Sequence, residues 1–135
     1  MKILILRVEN GEVKEKSVVE GDMHSVLKNT VVKALDYWDP TKSDLVVMRH
    51  SHEIQVQLPL TKEQYELYSR FNLRRLGDRA AFTIPLYIVS YENEWRGEEL
   101  VDTKIFVVSP YIDERVEEEV TRLAMTITSY ESEEE

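Results

Sequence analysis

His50 and His52, flanked by Arg49 and Glu53, are the residues best spaced for metal chemistry. Alternate residues of an extended strand share a face, so a strand here would present two imidazoles together. A zinc-type centre takes three or four ligands, however. Glu53 would fall on the other face of an unbroken strand, and the remaining histidine, His24, belongs to a different segment. The favoured expectation is therefore plainer: residues 49–53 form the polar tip of a hairpin between strands at 46–48 and 54–58. Phosphoryl transfer through a histidine beside Arg49 would need an orienting partner and a phosphate cradle, and no glycine-rich loop is near.

A second constellation is Arg70, Arg74, Arg75 and Arg79. A helix opening at Thr61 and running to Leu76 would put Arg70 and Arg74 on one face, with Arg75 beside them. Four arginines against Asp78 give the segment a net charge of +3 in an acidic chain. Guanidinium groups fork onto carboxylate or phosphate, and cations are also favoured near a helix C-terminus. Ion pairing with Glu117, Glu118 and Glu119, or between subunits, is the first expectation for them. Binding of a phosphate-bearing small anion is the second. Nucleic-acid binding, with Tyr65, Tyr68 and Phe71 stacking on bases, ranks below both, because four arginines are few for phosphate-driven affinity.

Trp95 lies between Glu94 and Arg96 in a polar stretch, 92–99, that reads as a solvated connection. A large aromatic there either tucks against the domain or anchors a partner. Val116 and Val120 belong to an apolar stripe at helical spacing, which packs on a sheet by default and offers an alternative surface for homo-oligomer formation.

The elements that must position these groups recur as strand, strand, helix. Residues 1–8, 12–19 and 22–39 form a first trio, 45–49, 53–58 and 61–76 a second, and 82–91, 103–109 and 113–128 a third. Asn10-Gly11 is a strong hairpin signal, since both positions tolerate positive φ. Met23, Val26, Leu27, Val31, Ala34 and Leu35 share a helix face, with Gly21-Asp22 to open the helix and Pro40 to end it. Thr61 and Gln64 suit a capping box, and Gly77 suits a helix C-cap. Ile3-Leu4-Ile5-Leu6 is apolar at consecutive positions, as in a strand covered on both faces. Pro85 places the early part of its strand at an edge or bulge. Residues 126–128 alternate β-branched side chains, leaving helix and extended backbone both open at that end.

With 135 residues, 42% of them hydrophobic and 32% charged, the chain suits one globular domain over 1–130 with an acidic disordered tail at 131–135. From Asp113 onward nine acids oppose Arg115 and Arg122 (−7), while the remaining residues carry 17 acids and 15 bases (−2). General attraction to nucleic acid or anionic membrane is not indicated. The absence of cysteine excludes disulfides and thiolate metal sites and suits a cytoplasmic setting. Heavy charge with few glycines also suits a heat-tolerant protein. Nothing resembles a phosphate loop, nucleophile elbow or dinucleotide fingerprint, so binding or assembly is expected before catalysis, with no cofactor.

Residues 1–13, 49–61 and 84–111 resemble a small archaeal protein family of unknown function. That resemblance implies an archaeal, cytoplasmic origin and carries over no activity, cofactor or site residue. The expected architecture is α+β, a largely antiparallel sheet packed against helices on one face in approximate ββα-ββα-ββα order. The expected function is binding or assembly, as a homo-oligomer or with a protein partner, through Trp95 and the segment 70–79. The alternative is an anion- or nucleotide-responsive domain using Arg70, Arg74, Arg75 and Arg79; a metal-dependent enzyme using His50 and His52 ranks third.

Overall fold

The computed structural model describes residues 1–39, 41, 48–69, 71–96 and 99–129; for 48–52, 54, 93–96 and 99–102 it describes the backbone alone. The element order is β1 (Lys2–Glu9), β2 (Glu12–Glu20), α1 (Met23–Tyr37), β3 (Met48–Leu58), α2 (Lys62–Tyr68), β4 (Arg74–Leu76), β5 (Arg79–Arg96), β6 (Glu99–Pro110) and α3 (Glu114–Thr128). All pairings are antiparallel, in the order β2-β1-β6-β5-β3, with β4 set against the start of β5.

Asn10 (φ 50) and Gly11 (φ 77) both take the left-handed conformation, so the first hairpin closes on a primed turn as expected. Its tip is docked on the end of α3. The Gly11 amide donates to the buried Thr128 Oγ1 at 2.9 Å, and that hydroxyl bonds to the Ala124 carbonyl at 3.0 Å. These bonds keep residues 126–128 helical despite their β-branched side chains.

The middle of the chain departs from the expected trio. Residues 49–53 are not a hairpin tip: β3 is one continuous strand of 11 residues, aligned with β5 from Met48↔Ser90 to Leu58↔Ala80. The long β5 supplies a partner at every position, so the polar residues need no turn. Residues 45–47, expected in a separate strand, and Pro40 lie outside the described residues.

Helix α2 opens with the expected capping box at Thr61 and Gln64 but ends at Tyr68, not Leu76. Phe71 donates to the Tyr68 carbonyl and accepts from the Thr83 amide at 2.9 Å, Asn72 turns left-handed (φ 51), and the chain joins the sheet. Gly77 (φ 62) is thus the first turn residue of the β4–β5 hairpin, not a helix cap. Residues 92–96 and 99 are likewise strand rather than loop, since β5 runs to Arg96 and β6 begins at Glu99. The Thr83 amide points away from β3, so odd-numbered residues of β5 donate toward its other edge. At Pro85 that edge lies between β4, paired to Ala81, and β6, paired from Tyr87, and no ladder donor is required.

The layering also differs from expectation, because helices cover both faces of the sheet. Leu4, Leu6 and Val8 of β1 pack with Ile105 and Val107 under α3, and the same cluster extends to Phe82, Ile84 and Tyr68 at the α2 end. Ile3 and Ile5 pack with Val108 and Phe106 under Val26, Leu27 and Ala34 of α1. A strand apolar at consecutive positions needs cover on both sides, as Ile3-Leu4-Ile5-Leu6 indicated. Val116 and Val120 are fully buried in the chain's own core, so their side chains are unavailable to a second copy.

Candidate functional site: an open polar sheet face beside Arg74

Helix α1 covers the sheet over β1, β6 and the middle of β5, and among the described residues the same face of the β4–β5–β3 end is open. Along β3, Gln55 and Gln57 alternate with Val56 and Leu58, so the apolar pair enters the core and both amides face outward. Register places Gln55 opposite Thr83 and Gln57 opposite Ala81, and Arg74 is opposite Ala81 from the other side. Gln55, Gln57, Asn72, Arg74, Leu76 and Thr83 line a concavity of about 500 Å³. Asn72 is held there in its left-handed conformation between α2 and β4. The site thus offers one guanidinium, two primary amides from β3 and a hydroxyl. This is a set of donors suited to a small polar or anionic ligand.

The four arginines do not form one cluster. Arg74 and Arg79 occupy exposed positions on the open face, where Arg79 is opposite Leu76. Arg75 is opposite Ala80 and belongs to the other face, its guanidinium 5.8 Å from the Tyr65 ring. Arg70 lies outside the described residues. Pairing with the α3 glutamates does not occur among the described residues: Glu117 pairs with Lys16 and Glu119 with Arg122, while Arg74 and Arg79 have no acidic partner. Tyr68 (0% exposed) and Phe71 (7%) are core residues rather than a base-stacking platform.

His50 is opposite Ile88 and His52 opposite Leu86 in the β3–β5 ladder, and Trp95 is opposite Leu100 in the β5–β6 ladder. Their side chains lie outside the described residues. Among the described residues no three His, Asp or Glu side chains gather to hold a metal.

The densest group of charges is on the α1 face, and it is internally matched. Arg7 bonds Glu9 at 2.8 Å and Glu15 at 3.1 Å, with its guanidinium 4.5 Å over the Tyr37 ring. Glu15 also accepts from the Tyr37 hydroxyl at 2.6 Å and from Lys33 at 3.1 Å, and Lys104 pairs with Glu92. Three cations meet three carboxylates, so the network ties α1 to β1 and β2 and leaves no net charge for a ligand. It also corrects the reading of Glu92, which is buried in a strand.

Hydrogen bonds from Tyr37, then Lys33 and Arg7, outweigh burial and hold the Glu15 carboxyl at about 2, against an ordinary 4.5. A folded-state value below the unfolded one adds stability that is complete above about pH 4.5 and disappears as pH falls toward 2. The Glu15 side chain is 40% exposed and screened by solvent, which limits the effect to about 0.5–1 kcal/mol. Glu15→Gln is expected to cost that much at pH 7 and progressively less below pH 4.5. Urea midpoints across a pH series measure it, and a difference that does not change with pH would refute the assignment.

Among the described residues, three helices around a six-stranded antiparallel sheet, with one open polar end, define a small α+β domain, and no helix is long and apolar enough to span a membrane. The chain belongs to a family described as uncharacterized protein conserved in archaea (DUF2286), whose model matches residues 2–129. No curated protein and no solved structure matches the chain.

Of the open face, only Arg74 and Arg79 were singled out from the sequence. Gln55, Gln57, Asn72 and Thr83 were not, although the polar–apolar alternation of residues 54–58 was a usable signal.

Proposed function

We propose that this chain acts by binding rather than catalysis, with the open face of β4, β5 and β3 as its recognition surface and a phosphate-bearing small anion as ligand. The observation that carries this reading is the placement of Arg74. It is exposed, has no acidic partner among the described residues, and borders a concavity lined by Gln55, Gln57 and Thr83. Arg79 on the same face adds a second cation within reach of a larger ligand. Guanidinium supplies paired donors for phosphate oxygens, and the side-chain amides orient the rest of the molecule. The lack of cysteine is consistent with a cytoplasmic setting for such a domain.

Titration calorimetry with inorganic phosphate and with a nucleoside triphosphate tests this reading. Binding is expected to weaken by about ten- to a hundredfold in Arg74→Ala, the range for losing a charge-assisted hydrogen-bonded partner. Arg75→Ala, on the opposite face, is expected to bind as wild type. Equal losses in both variants, or no binding by the wild type, would remove the open face as the site.

A further inference from the structure

Among the described residues the main path of the sheet ends on two edge strands, β2 and β3, and they are built differently. Strand β2 carries Lys14, Glu15 and Lys16, and its pairing with β1 shifts from Arg7↔Glu15 to Val8↔Val13, leaving Lys14 bulged out of the ladder. Charge and bulges are common protection against edge-to-edge association. Strand β3 has neither a proline nor a bulge over its 11 residues, and its outer edge has no partner among the described residues. An unbulged edge of that length is a template for another strand.

The sequence of β3 also identifies which strand suits it. Read outward from Ser51 in both directions, the residues match in type: His50 with His52, Arg49 with Glu53, Met48 with Ile54. An antiparallel copy centred on Ser51 would therefore place cation opposite anion twice and apolar opposite apolar twice. The hydrogen-bonding phase agrees. Odd-numbered residues of β5 donate away from β3, as the Thr83 amide does, so even-numbered residues form the hydrogen-bonded pairs with β3. The amides and carbonyls of Arg49, Ser51 and Glu53 then point to the free edge, where this register needs them. A register centred on Glu53 would oppose two carboxylates, and one centred on His52 would set Arg49 against Gln55. Only the Ser51-centred register brings Arg49 to Glu53.

We propose that this chain forms a two-fold homodimer through β3, pairing antiparallel about Ser51 into one continuous sheet across both copies. Arg49 and Glu53 of each copy set the register, and the three outward-facing positions contribute about six backbone hydrogen bonds. The interface is isologous, so it closes at two copies and leaves the β2 edges outermost. It uses the strand edge and is independent of the anion reading, whose face is complete in one chain.

Native mass spectrometry and sedimentation across a dilution series test it, with R49E, E53R and the double variant R49E/E53R. Each single change turns two attractive cross-strand pairs into two repulsive ones, weakening the dimer on the order of tenfold or more. The double variant restores opposite charges and is expected to dimerise as wild type, which also shows that the substitutions leave the fold intact. An equimolar mixture of the two single variants, one with carboxylates at both positions and the other with guanidinium groups at both, is expected to form the mixed dimer preferentially. A monomeric wild type, single variants that dimerise unchanged, or a double variant as weak as the singles would each overturn the proposal.

Discussion

Replacing Phe106 with alanine is expected to lower the unfolding free energy by about 3–5 kcal/mol. Phe106 is 1% exposed and lies on the α1 side of the sheet, its ring centroid 5.5 Å from Tyr91 and 5.7 Å from Tyr37. Truncation removes its own burial and leaves a cavity that α1 closes only in part. Phe82→Ala should cost as much through the opposite face, where Phe82 is 2% exposed and 4.5 Å from the Tyr68 ring. The two residues share no packing partner across the sheet, so the double variant should lose close to the sum. Denaturation in urea followed by circular dichroism measures all three. A sheet covered on one side would expose one of these rings, and its truncation would then cost no more than a typical surface change, about 0.5 kcal/mol. That outcome would refute the two-sided layering.

Asp113→Ala is expected to cost about 2–4 kcal/mol, a large effect for a residue outside the apolar core. Asp113 caps α3 by accepting from the amides of Arg115 at 3.0 Å and Val116 at 3.3 Å. It also accepts from the hydroxyl of the buried Tyr68 and, at 3.2 Å, from the Arg115 guanidinium, which reaches the Pro59 carbonyl at 3.0 Å. One carboxylate thereby joins the start of α3 to the end of α2 and to the segment after β3. Asparagine keeps the cap and one acceptor, so Asp113→Asn should cost about half as much. Thermal or urea denaturation of the two variants compares them, and equal losses would mean that the retained cap contributes nothing. Burial favours the neutral acid at Asp113, but the Tyr68 hydroxyl, the Val116 amide and Arg115 together hold its pKa below the ordinary 3.8. The folded value being the lower one, this stability is present above the ordinary pKa and lost as pH falls below it. The wild-type advantage over Asp113→Asn should shrink in that acid range.

Much of the fold was legible where a local signal and the tertiary need coincide. Asn10-Gly11 closes a primed turn, the capping box at Thr61 opens α2, and Asp22 caps α1 through the Ser25 amide. These are contacts between residues near in sequence, so their chemistry is written in consecutive letters. The resemblance over residues 1–13, 49–61 and 84–111 likewise pointed to the family to which the chain belongs.

The errors share one cause. Phe71 and Leu76 continue an apolar spacing begun at Tyr65 and Tyr68, which predicts helix through residue 76. Yet Phe71 lies in the core and its carbonyl accepts from the Thr83 amide, a partner no local pattern names. Polarity alone predicts a turn at 49–53 and a loop at 92–99. In both places a long partner strand supplies ladder bonds that make polar residues acceptable in extended backbone. The candidate site follows the same rule: Arg74 and Arg79 were visible as a cationic run, but their shared face with Gln55, Gln57 and Thr83 depends on strand register.

By itself, then, the sequence determined the α+β class, the first hairpin, the three helix starts and the double-sided burial of β1, because each rests on residue type and short-range periodicity. Only the tertiary structure decided where α2 stops, which arginines share a face and which end of the sheet stays open. Those outcomes are set by pairings between segments remote in the chain, and the free energy of such pairings belongs to neither segment alone.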